Sequence, residues 1–467
     1  MAKKKKILLM SDDLRMHSGI ATQSKEFVMG TLHQYDWVQI GAAIKHPDAG
    51  KRIDMNEAVR SETGVSDAQL TIYPSDGYGN PDMLRKIISL ENPDVILHFT
   101  DPRFWIWFYQ MEHEIRQTIP IMYYNIWDDL PTPLYNKNYY KSCDVLMAIS
   151  KQTYGINKRL LKPYGYEDWQ IKYVPHGINH TKFFKIETGD TKLINFKKKF
   201  DLDKFKFKVL YLNRNIRRKN PGDVALAFKH FTELIGKDKA KECCLIFHTQ
   251  PSDENGTDLR AVCKTLLPDC NVIFTHEKQN LFNDEEMNFI YNTADVYINL
   301  ASNEGFGLGS AEALMSETPI VVNVTGGLQD QCGFKTEKTH ISGAGSSLEY
   351  LTAEDYVELG SNHTREHQVH GEWAKPVFPT NLSLQGSPLT PYIFDDRASY
   401  EDAGKALKYW YDKSSEEIQV CGKKGREFLL NTDIGMSAET MSNNFIDVIE
   451  ETFKKWKPKD KYTLEVV

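Results

Sequence analysis

The chain has 467 residues, of which 41% are hydrophobic and 26% charged, and a formal net charge of −7. At about 100–200 residues per domain this length predicts more than one domain, and the composition excludes a membrane-spanning bundle, a collagen-like rod and a disordered chain. The acidic total argues against a protein that holds nucleic acid mainly by charge.

The first residues, MAKKKKILLMSDD, combine a basic cluster with a short apolar run. That run is too short for the apolar core of a secretory signal, which takes roughly 7–15 residues. The seven cysteines are scattered without a CxxC pair, which favours reduced thiols over a disulfide framework or a zinc knuckle. We therefore expect an unprocessed cytoplasmic protein that is not integral to a membrane.

Residues 1–176 alternate short apolar runs with helical patterns, which is typical of a parallel sheet covered by helices. The predicted strands are Ile7–Met10, Trp37–Ile40, Val95–Phe99, Ile121–Tyr124 and Val145–Ile149. A Pro/Gly turn at Pro175-His176-Gly177 closes the series. His98 lies near the end of the third strand, where we predict that it faces a cleft; a structural histidine is the alternative.

The same alternation is repeated in residues 177–436. The predicted strands are Val209–Leu212, Cys244–His248, Val272–Thr275, Val296–Leu300 and Ile320–Val324, with helices such as Val224–Ile235 and Ser310–Glu317 between them. The sequence therefore predicts an α/β protein of two doubly wound, Rossmann-like domains in tandem, each built on a parallel sheet.

A cation-rich loop, Asn213–Pro221, follows the first strand of the second series. Loops in this position bind ligands in open α/β sheets. Its four cations, Arg214, Arg217, Arg218 and Lys219, suit a diphosphate, because arginine binds phosphate in bidentate fashion and lysine acts as a point charge. A solvated basic loop is the alternative.

Charge is unevenly distributed along the chain. Residues 151–250 carry 22 basic and 10 acidic side chains, whereas residues 251–450 carry 14 and 32. This asymmetry predicts a site for an anion in the basic middle of the chain.

A glycine-rich loop, ASNEGFGLGSAEAL at residues 301–314, joins a strand end to a helix predicted to begin near Leu308. Backbone N–H groups at such a helix start bind anions. Glu304 and Glu312 are too far apart to share one helical face, but they can accept hydrogen bonds from different hydroxyls of one long ligand. A helix start with an acidic first turn is the alternative.

Residues 330–395 are rich in Ser, Gly, His, Thr and Pro and have no sustained period, so we predict an irregular insertion in the second domain. Helical spacing returns at Ser437–Trp456. The predicted organisation is thus an N-terminal domain (1–176), a C-terminal domain (177–436) and a final segment (437–467).

Taken together, these motifs resemble the retaining glycosyltransferases of the GT-B fold, family 4 type. The residues that carry the resemblance are R-x4-K at Arg214 and Lys219, E-x7-E at Glu304 and Glu312, and the following Gly326-Gly327-Leu328-Gln329-Asp330. Ser18-Gly19-Ile20 is similar to the family's N-terminal glycine loop, and Val174–Ile178 is similar to its interdomain linker.

The resemblance implies a donor site between the two domains, with a nucleotide-diphosphate sugar such as a UDP- or GDP-sugar as co-substrate and no metal or other cofactor. Its implied residues are Ser18, Gly19, Arg214, Lys219, Glu304, Gly305, Phe306, Gly307, Leu308 and Glu312. Arg214 and Lys219 would hold the diphosphate, Glu304 the sugar hydroxyls and Glu312 the ribose. The last helix would return to the N-terminal domain.

The acceptor is less defined by the resemblance. Many family members have His-Asp where this chain has Trp127-Asp128, so Asp128 is the candidate for a catalytic group near the acceptor, beside Arg214, Lys219 and Glu304. The segment Gly371–Pro379 looks like phage-encoded members, which suggests a hydroxymethylated base of phage DNA and a host-cytoplasmic setting. A cell-envelope glycan or a lipid-linked acceptor is the alternative.

Two other classes of function share this scaffold. A sugar phosphorylase or a nucleotide-sugar epimerase would use the same domains, and a non-catalytic nucleotide-sugar-binding subunit would keep the fold alone. The presence of Arg214, Lys219, Glu304 and Glu312 argues against the last of these. The sequence gives no indication of the oligomeric state.

Overall fold

The computed structural model describes residues 3–279, 281–339, 346–364 and 369–459. The strands of the N-terminal domain are β1 (Lys5–Asp12), β2 (Tyr35–Ala42), β3 (Ile53–Asp54), β4 (Leu70–Pro74), β5 (Val95–Phe99), β6 (Ile121–Asn125), β7 (Val145–Ala148) and β8 (Ile171–Tyr173). Its helices are α1 (Gly19–Thr31), α2 (Asn56–Thr63), α3 (Pro81–Glu91), α4 (Ile106–Gln110), α5 (Glu112–Ile115), α6 (Lys137–Lys141) and α7 (Lys151–Leu161).

These strands form one sheet in the order β3-β4-β2-β1-β5-β6-β7-β8. All neighbouring strands are parallel except β3 and β4. Strands of a parallel sheet covered on both faces are nearly continuous apolar runs, and β5 is an example, because all five of its residues are buried. The five strands predicted in this half are confirmed; β3, β4 and β8 are additions.

The second half of the chain contains the strands β9 (Phe207–Leu212), β10 (Cys243–His248), β11 (Asn271–Phe274), β12 (Val296–Asn299), β13 (Ile320–Asn323), β14 (Lys335–Thr339), β15 (Ser346–Tyr350), β16 (Ala374–Val377), β17 (Pro379–Ser387) and β18 (Thr390–Ala398). Its helices are α8 (Thr191–Lys199), α9 (Pro221–Ile235), α10 (Lys237–Ala240), α11 (Leu259–Leu266), α12 (Asp284–Thr293), α13 (Leu308–Met315), α14 (Tyr400–Tyr411), α15 (Ser415–Leu430) and α16 (Ala438–Lys455).

A second parallel sheet, in the order β11-β10-β9-β12-β13-β16, forms the core of this domain. Its first five strands in chain order, β9 to β13, are the five predicted from the sequence. The Rossmann-like pattern of parallel strands and covering helices therefore occurs twice, as expected.

The insertion is more regular than the sequence indicated. β16 pairs with β13 at the edge of the second sheet, β14 and β15 form one antiparallel hairpin, and β17 and β18 form another. The prediction of an irregular stretch over 330–395 is wrong for these strands, because most of them are short or exposed and none has a sustained apolar alternation. Residues 340–345 and 365–368 of the insertion lie outside the described residues.

The final helix, α16, packs on α1 of the N-terminal domain. The rings of Phe445 and Phe27 stack with their centroids 4.4 Å apart, and the Tyr35 hydroxyl donates to Glu450 Oε1 at 2.9 Å. Ser437 caps the helix by accepting a hydrogen bond from the backbone N–H of Thr440. Residues 460–467 of the predicted final segment lie outside the described residues.

The chain crosses between the domains twice, and the two crossings touch. The backbone N–H of Ile178 donates to the carbonyl of Met436 at 2.8 Å. A Cβ atom at Gly177 would lie 2.6 Å from Cα of Ala438, so the close approach of the two crossings requires glycine.

Candidate functional site

A cleft of about 980 Å³ lies between the two domains. Its walls come from loops that follow β1, β5 and β6 in the N-terminal domain and β9 and β12 in the C-terminal domain. Ligands of open α/β sheets bind at the carboxyl ends of the strands, and this cleft lies where the carboxyl ends of both sheets face each other. The cleft is therefore the candidate active site.

The cation-rich loop after β9 lines this cleft. Arg214 is exposed, and its Nε atom donates to Asp253 Oδ2 at 2.9 Å. Lys219 is buried, and its Nζ atom donates to the carboxylate of Glu304. The structure thus brings together one residue of the R-x4-K motif and one of the E-x7-E motif.

The glycine-rich loop after β12 lines the cleft beside the cation-rich loop. Gly305, Phe306, Gly307 and Leu308 line the cleft, and α13 begins at Leu308 as predicted. A Cβ atom at Gly305 would lie 3.1 Å from the carbonyl oxygen of Ile126 in the N-terminal domain. The loop can approach the other domain this closely because it has no side chain at that position.

Glu304 remains a carboxylate at neutral pH. Burial alone would raise the pKa of Glu304, but Lys219 and Arg218 outweigh burial and hold the pKa below its usual value. An ionised, partly buried carboxylate beside a lysine can accept hydrogen bonds from sugar hydroxyls, and it can exchange its lysine partner for a bound ligand.

Glu312 has a different environment. The Tyr291 hydroxyl donates to its Oε2 at 2.6 Å, and burial raises the pKa of Glu312 to about 7. Both Glu304 and Glu312 line the cleft, one on the loop and one in α13, so they offer hydrogen-bond acceptors to a ligand at two separate places.

The N-terminus of α1 lies across the cleft from α13. Ser18 caps α1 by accepting a hydrogen bond from the backbone N–H of Ala21 at 3.1 Å, and its hydroxyl donates to Asp12 Oδ2 at 2.9 Å. A Cβ atom at Gly19 would lie 3.2 Å from Leu308 Cδ1. Two helix N-termini therefore meet in the cleft, and both favour an anion there.

Asp128 lies at the junction of the domains. Arg218 Nη1 lies 3.3 Å from Asp128 Oδ2 and donates to the carbonyl of Asn303 at 2.8 Å. The neighbouring Asp129 is buried, and burial together with Asp128 raises the pKa of Asp129 well above its usual value. Both aspartates line the cleft, and Asp128 is the more exposed of the two.

His98 does not lie in the cleft. Its side chain is fully buried, and Nδ1 lies 2.6 Å from the Tyr109 hydroxyl, among the rings of Trp105, Phe108 and Tyr123. Burial lowers the pKa of His98 to about 3, so the imidazole is neutral. This placement corrects the prediction that His98 faces the cleft: successive side chains of a strand alternate between faces, and His98 points into the helical layer.

Some features of the site are not visible in the sequence. Arg218 belongs to the cation run, but its contact with Asp128 in the other domain could not be predicted. Ile393 lines the cleft from β18, and Tyr291 of α12 donates to Glu312; no local motif marks either residue.

The basic middle of the chain is in part paired with acidic residues. Lys192 and Lys199 of α8 pair with Glu285 and Glu286 of α12. The acidic partners come from residues 251–450, so folding interleaves the basic and acidic parts of the chain. The cations of residues 151–250 that line the cleft are Lys182, Arg214, Arg217, Arg218 and Lys219.

Across the described residues, no group of three or more His, Cys, Asp and Glu side chains is placed to hold a metal ion. None of the helices within the described ranges is long and apolar enough to cross a membrane.

Residues 194–341 match the family model described as "Glycosyl transferases group 1". The chain is 26% identical over 196 residues to the mannosylfructose-phosphate synthase of Agrobacterium fabrum, covering 40% of this chain and 39% of that protein. It is 25% identical over 187 residues to the alpha-monoglucosyldiacylglycerol synthase of Acholeplasma laidlawii, covering 40% of this chain and 43% of that protein. These matches therefore span about two fifths of the curated relatives.

Similarity to solved structures extends over nearly the whole chain. An alpha,alpha-trehalose-phosphate synthase (UDP-forming) from Burkholderia vietnamiensis superposes with a TM-score of 0.63 at 12% identity, covering 97% of this chain and 98% of that one. A glycosyltransferase from Rickettsia africae superposes with a TM-score of 0.60 at 15% identity, covering 97% and 99%. The chain has the GT-B fold, as the sequence motifs led us to expect.

Proposed function

On the GT-B fold and the match of residues 194–341 to group 1 glycosyl transferases, we propose that this chain is an enzyme that transfers a sugar from a nucleotide-diphosphate sugar to an acceptor hydroxyl. One observation carries the proposal. In the interdomain cleft, the buried pair of Lys219 and Glu304 lies beside the start of α13, across from the N-terminus of α1.

The donor fills the cleft from the side of α12 and α13. Lys219 and Arg214 bind the diphosphate, with the helix N-termini at Gly19 and Leu308 adding favourable partial charge. Glu304 exchanges part of its contact with Lys219 for the sugar hydroxyls. Glu312 accepts a hydrogen bond from the ribose, which suits its separate position on α13.

The chemical step follows from this placement of charge. The acceptor oxygen bonds to the anomeric carbon as the bond from that carbon to the diphosphate oxygen breaks. Negative charge grows on the departing diphosphate, where Lys219 and Arg214 stabilise it more in the transition state than in the ground state. The acceptor proton passes to the departing diphosphate, and the product retains the anomeric configuration, as the resemblance to family 4 implies.

The acceptor side of the cleft begins at Asp128. This residue lies between the glycine-rich loop of the C-terminal domain and the wall that the N-terminal domain forms. The acceptor candidates are a hydroxymethylated base of phage DNA and a sugar hydroxyl of a cell-envelope glycan or lipid-linked molecule. Arg103 also lines the cleft, and the next residue, Phe104, is 52% exposed and stacks on Tyr78 with ring centroids 4.6 Å apart.

The test is a screen of radiolabelled UDP- and GDP-sugars with three acceptors: hydroxymethylated DNA, plain DNA and envelope glycans. Transfer that is lost in Lys219→Ala supports the proposal. Arms with inorganic phosphate and with donor alone separate the alternatives, because a phosphorylase releases a sugar phosphate and an epimerase alters the donor without releasing nucleoside diphosphate. No turnover of any donor would refute the proposed activity.

A further inference from the structure

The hairpin of β17 and β18 extends from the insertion to the acceptor side of the cleft. Gln385 pairs with Ile393, and Leu384 pairs with Phe394, so these two pairs lie on opposite faces of the hairpin. Ile393 lines the cleft. Leu384 lies on the other face and is 65% exposed.

One side of β18 is bonded to the glycine-rich loop and the cation-rich loop. Asn303 Nδ2 donates to the carbonyl of Phe394 at 2.8 Å, and the carboxylate of Asp395 pairs with Arg217 at 2.6 Å. The same strand therefore contacts both the glycine-rich loop and the cation-rich loop of the proposed donor site.

The hairpin is also fixed to the N-terminal domain. The backbone N–H of Phe394 donates to the carbonyl of Leu130 at 2.7 Å, directly after Asp128 and Asp129 in sequence. The Tyr135 hydroxyl donates to the carbonyl of Tyr392 at 2.9 Å, and the two rings lie 4.9 Å apart. β18 thus spans both domains beside the Asp128 loop and holds Ile393 in a fixed position.

We propose that this hairpin is the acceptor-side wall of the cleft and that Ile393 determines acceptor specificity by contacting the ring whose hydroxyl faces Asp128. The inference rests on the proposed function. Because β18 is hydrogen-bonded to both domains beside the Asp128 loop, the hairpin closes this side of the cleft to the broad surface of a duplex. The acceptor is therefore a sugar, whose apolar ring face packs on the Ile393 side chain.

The experiment compares Ile393→Trp, Ile393→Ala and a matched control on the other face of the hairpin, Leu384→Trp. Release of UDP or GDP is measured with the UDP- or GDP-sugar donor alone, and then with glucose, mannose, fructose 6-phosphate or a hydroxymethylcytosine duplex added as the acceptor probe. Affinity for the nucleoside diphosphate is measured by calorimetry in every variant.

Ile393→Trp fills the acceptor space, so we expect its KM for the sugar probe to rise about tenfold or more while nucleoside diphosphate affinity stays within about twofold. Ile393→Ala opens the wall to water, so release from donor alone rises about threefold. Leu384→Trp changes neither quantity. Nucleoside diphosphate release from donor alone can be measured even if the protein accepts none of the sugar probes as a substrate.

Three results would overturn the inference. The first is an unchanged acceptor KM and unchanged donor-alone release in both Ile393 variants. The second is a loss of nucleoside diphosphate affinity as large as the rise in acceptor KM, and the third is transfer to the duplex but to no sugar. Failure of the proposed function has a different signature, because the unaltered protein then releases no nucleoside diphosphate from any donor.

Discussion

Lys219 and Glu304 form a buried ion pair that joins the cation-rich loop to the glycine-rich loop. Their side chains are 9% and 12% exposed, and they come from loops that follow the neighbouring strands β9 and β12. The pair occupies the place that we assign to the diphosphate and the sugar hydroxyls of the donor. Donor binding must therefore redistribute these contacts, so the pair links the stability of the empty site to its function.

The pair can be tested by a double-mutant cycle. Removing one partner of a buried pair leaves an uncompensated charge and destabilises a protein by about 3–5 kcal/mol. We expect such a loss in Lys219→Met and in Glu304→Gln, measured by urea denaturation, and a recovery of most of it in the double variant. Activity should fall in all three, because each lacks a group that binds the donor.

The recovery separates the two roles of the pair. If the double variant is as unstable as the worse single variant, the two side chains do not interact as the structure has them. A double variant that regains both stability and transfer would show instead that neither side chain is needed for the reaction.

Arg214 offers a test of donor binding that does not affect the fold. Its side chain is 65% exposed and pairs with Asp253, whose side chain is 6% exposed. Asp253 also accepts a hydrogen bond from the backbone N–H of Asn255 at 2.9 Å, so loss of Arg214 does not leave this carboxylate without a partner. We expect Arg214→Ala to abolish detectable transfer and to weaken nucleoside diphosphate binding about tenfold or more, with the melting temperature unchanged. Arg260, 56% exposed and paired with Glu277, is the matched control.

Calorimetric titration with UDP and GDP measures the effect of each substitution. Equal binding and full transfer in Arg214→Ala would remove this residue from the donor site. Equal losses in Arg214→Ala and Arg260→Ala would indicate a general effect of net charge.

The strands and the two loops that line the cleft were predictable because their signals are local. β5 and its neighbours are uninterrupted apolar runs, since both faces of a parallel sheet are covered. The cation-rich and glycine-rich loops follow directly on such runs, at the sheet edge where ligands bind. Which residues meet across the cleft is not local: Arg218 finds Asp128 in the other domain only because the two sheets face each other.

The predictions that the structure corrects failed because they concern features that are not local in the sequence. His98 has the sequence position of a cleft residue, but the direction of its side chain depends on the alternation of the strand within a folded sheet. β17 is mostly exposed and β18 is mostly half-buried, so their pattern does not stand out from a loop. The ion pairs of Lys192 and Lys199 could not be predicted either, because their acidic partners in α12 come from a distant part of the chain.

Glu312 gives the protein a pH-dependent stability. Burial raises the pKa of Glu312 from the ordinary value of 4.5 to about 7. The folded state therefore binds a proton more tightly than the unfolded state, and stability is lost as pH rises from 4.5 to 7. At 1.36 kcal/mol per pKa unit the loss is at most about 3 kcal/mol.

Glu312→Gln removes this titration. The variant should gain stability relative to the unaltered protein between pH 5 and pH 8, measured by urea denaturation at each pH. Glu416→Gln, an exposed glutamate on α15, is the control and should show no such gain. A constant difference between the Glu312 variant and the unaltered protein across this range would contradict the raised pKa.

Asp128 tests the acceptor side, because it faces the cleft from the N-terminal domain while Arg218 holds it from the C-terminal domain at 3.3 Å. A carboxylate that orients the acceptor hydroxyl acts on turnover and not on donor affinity. We expect Asp128→Asn to lower kcat about 100-fold, within the range of positioned acid–base groups, with nucleoside diphosphate affinity unchanged. The exposed Asp76, after β4, serves as the control in Asp76→Asn. A loss of donor affinity in Asp128→Asn, or an unchanged kcat, would place this carboxylate outside the acceptor site, because only a contact with the reacting hydroxyl separates the two quantities.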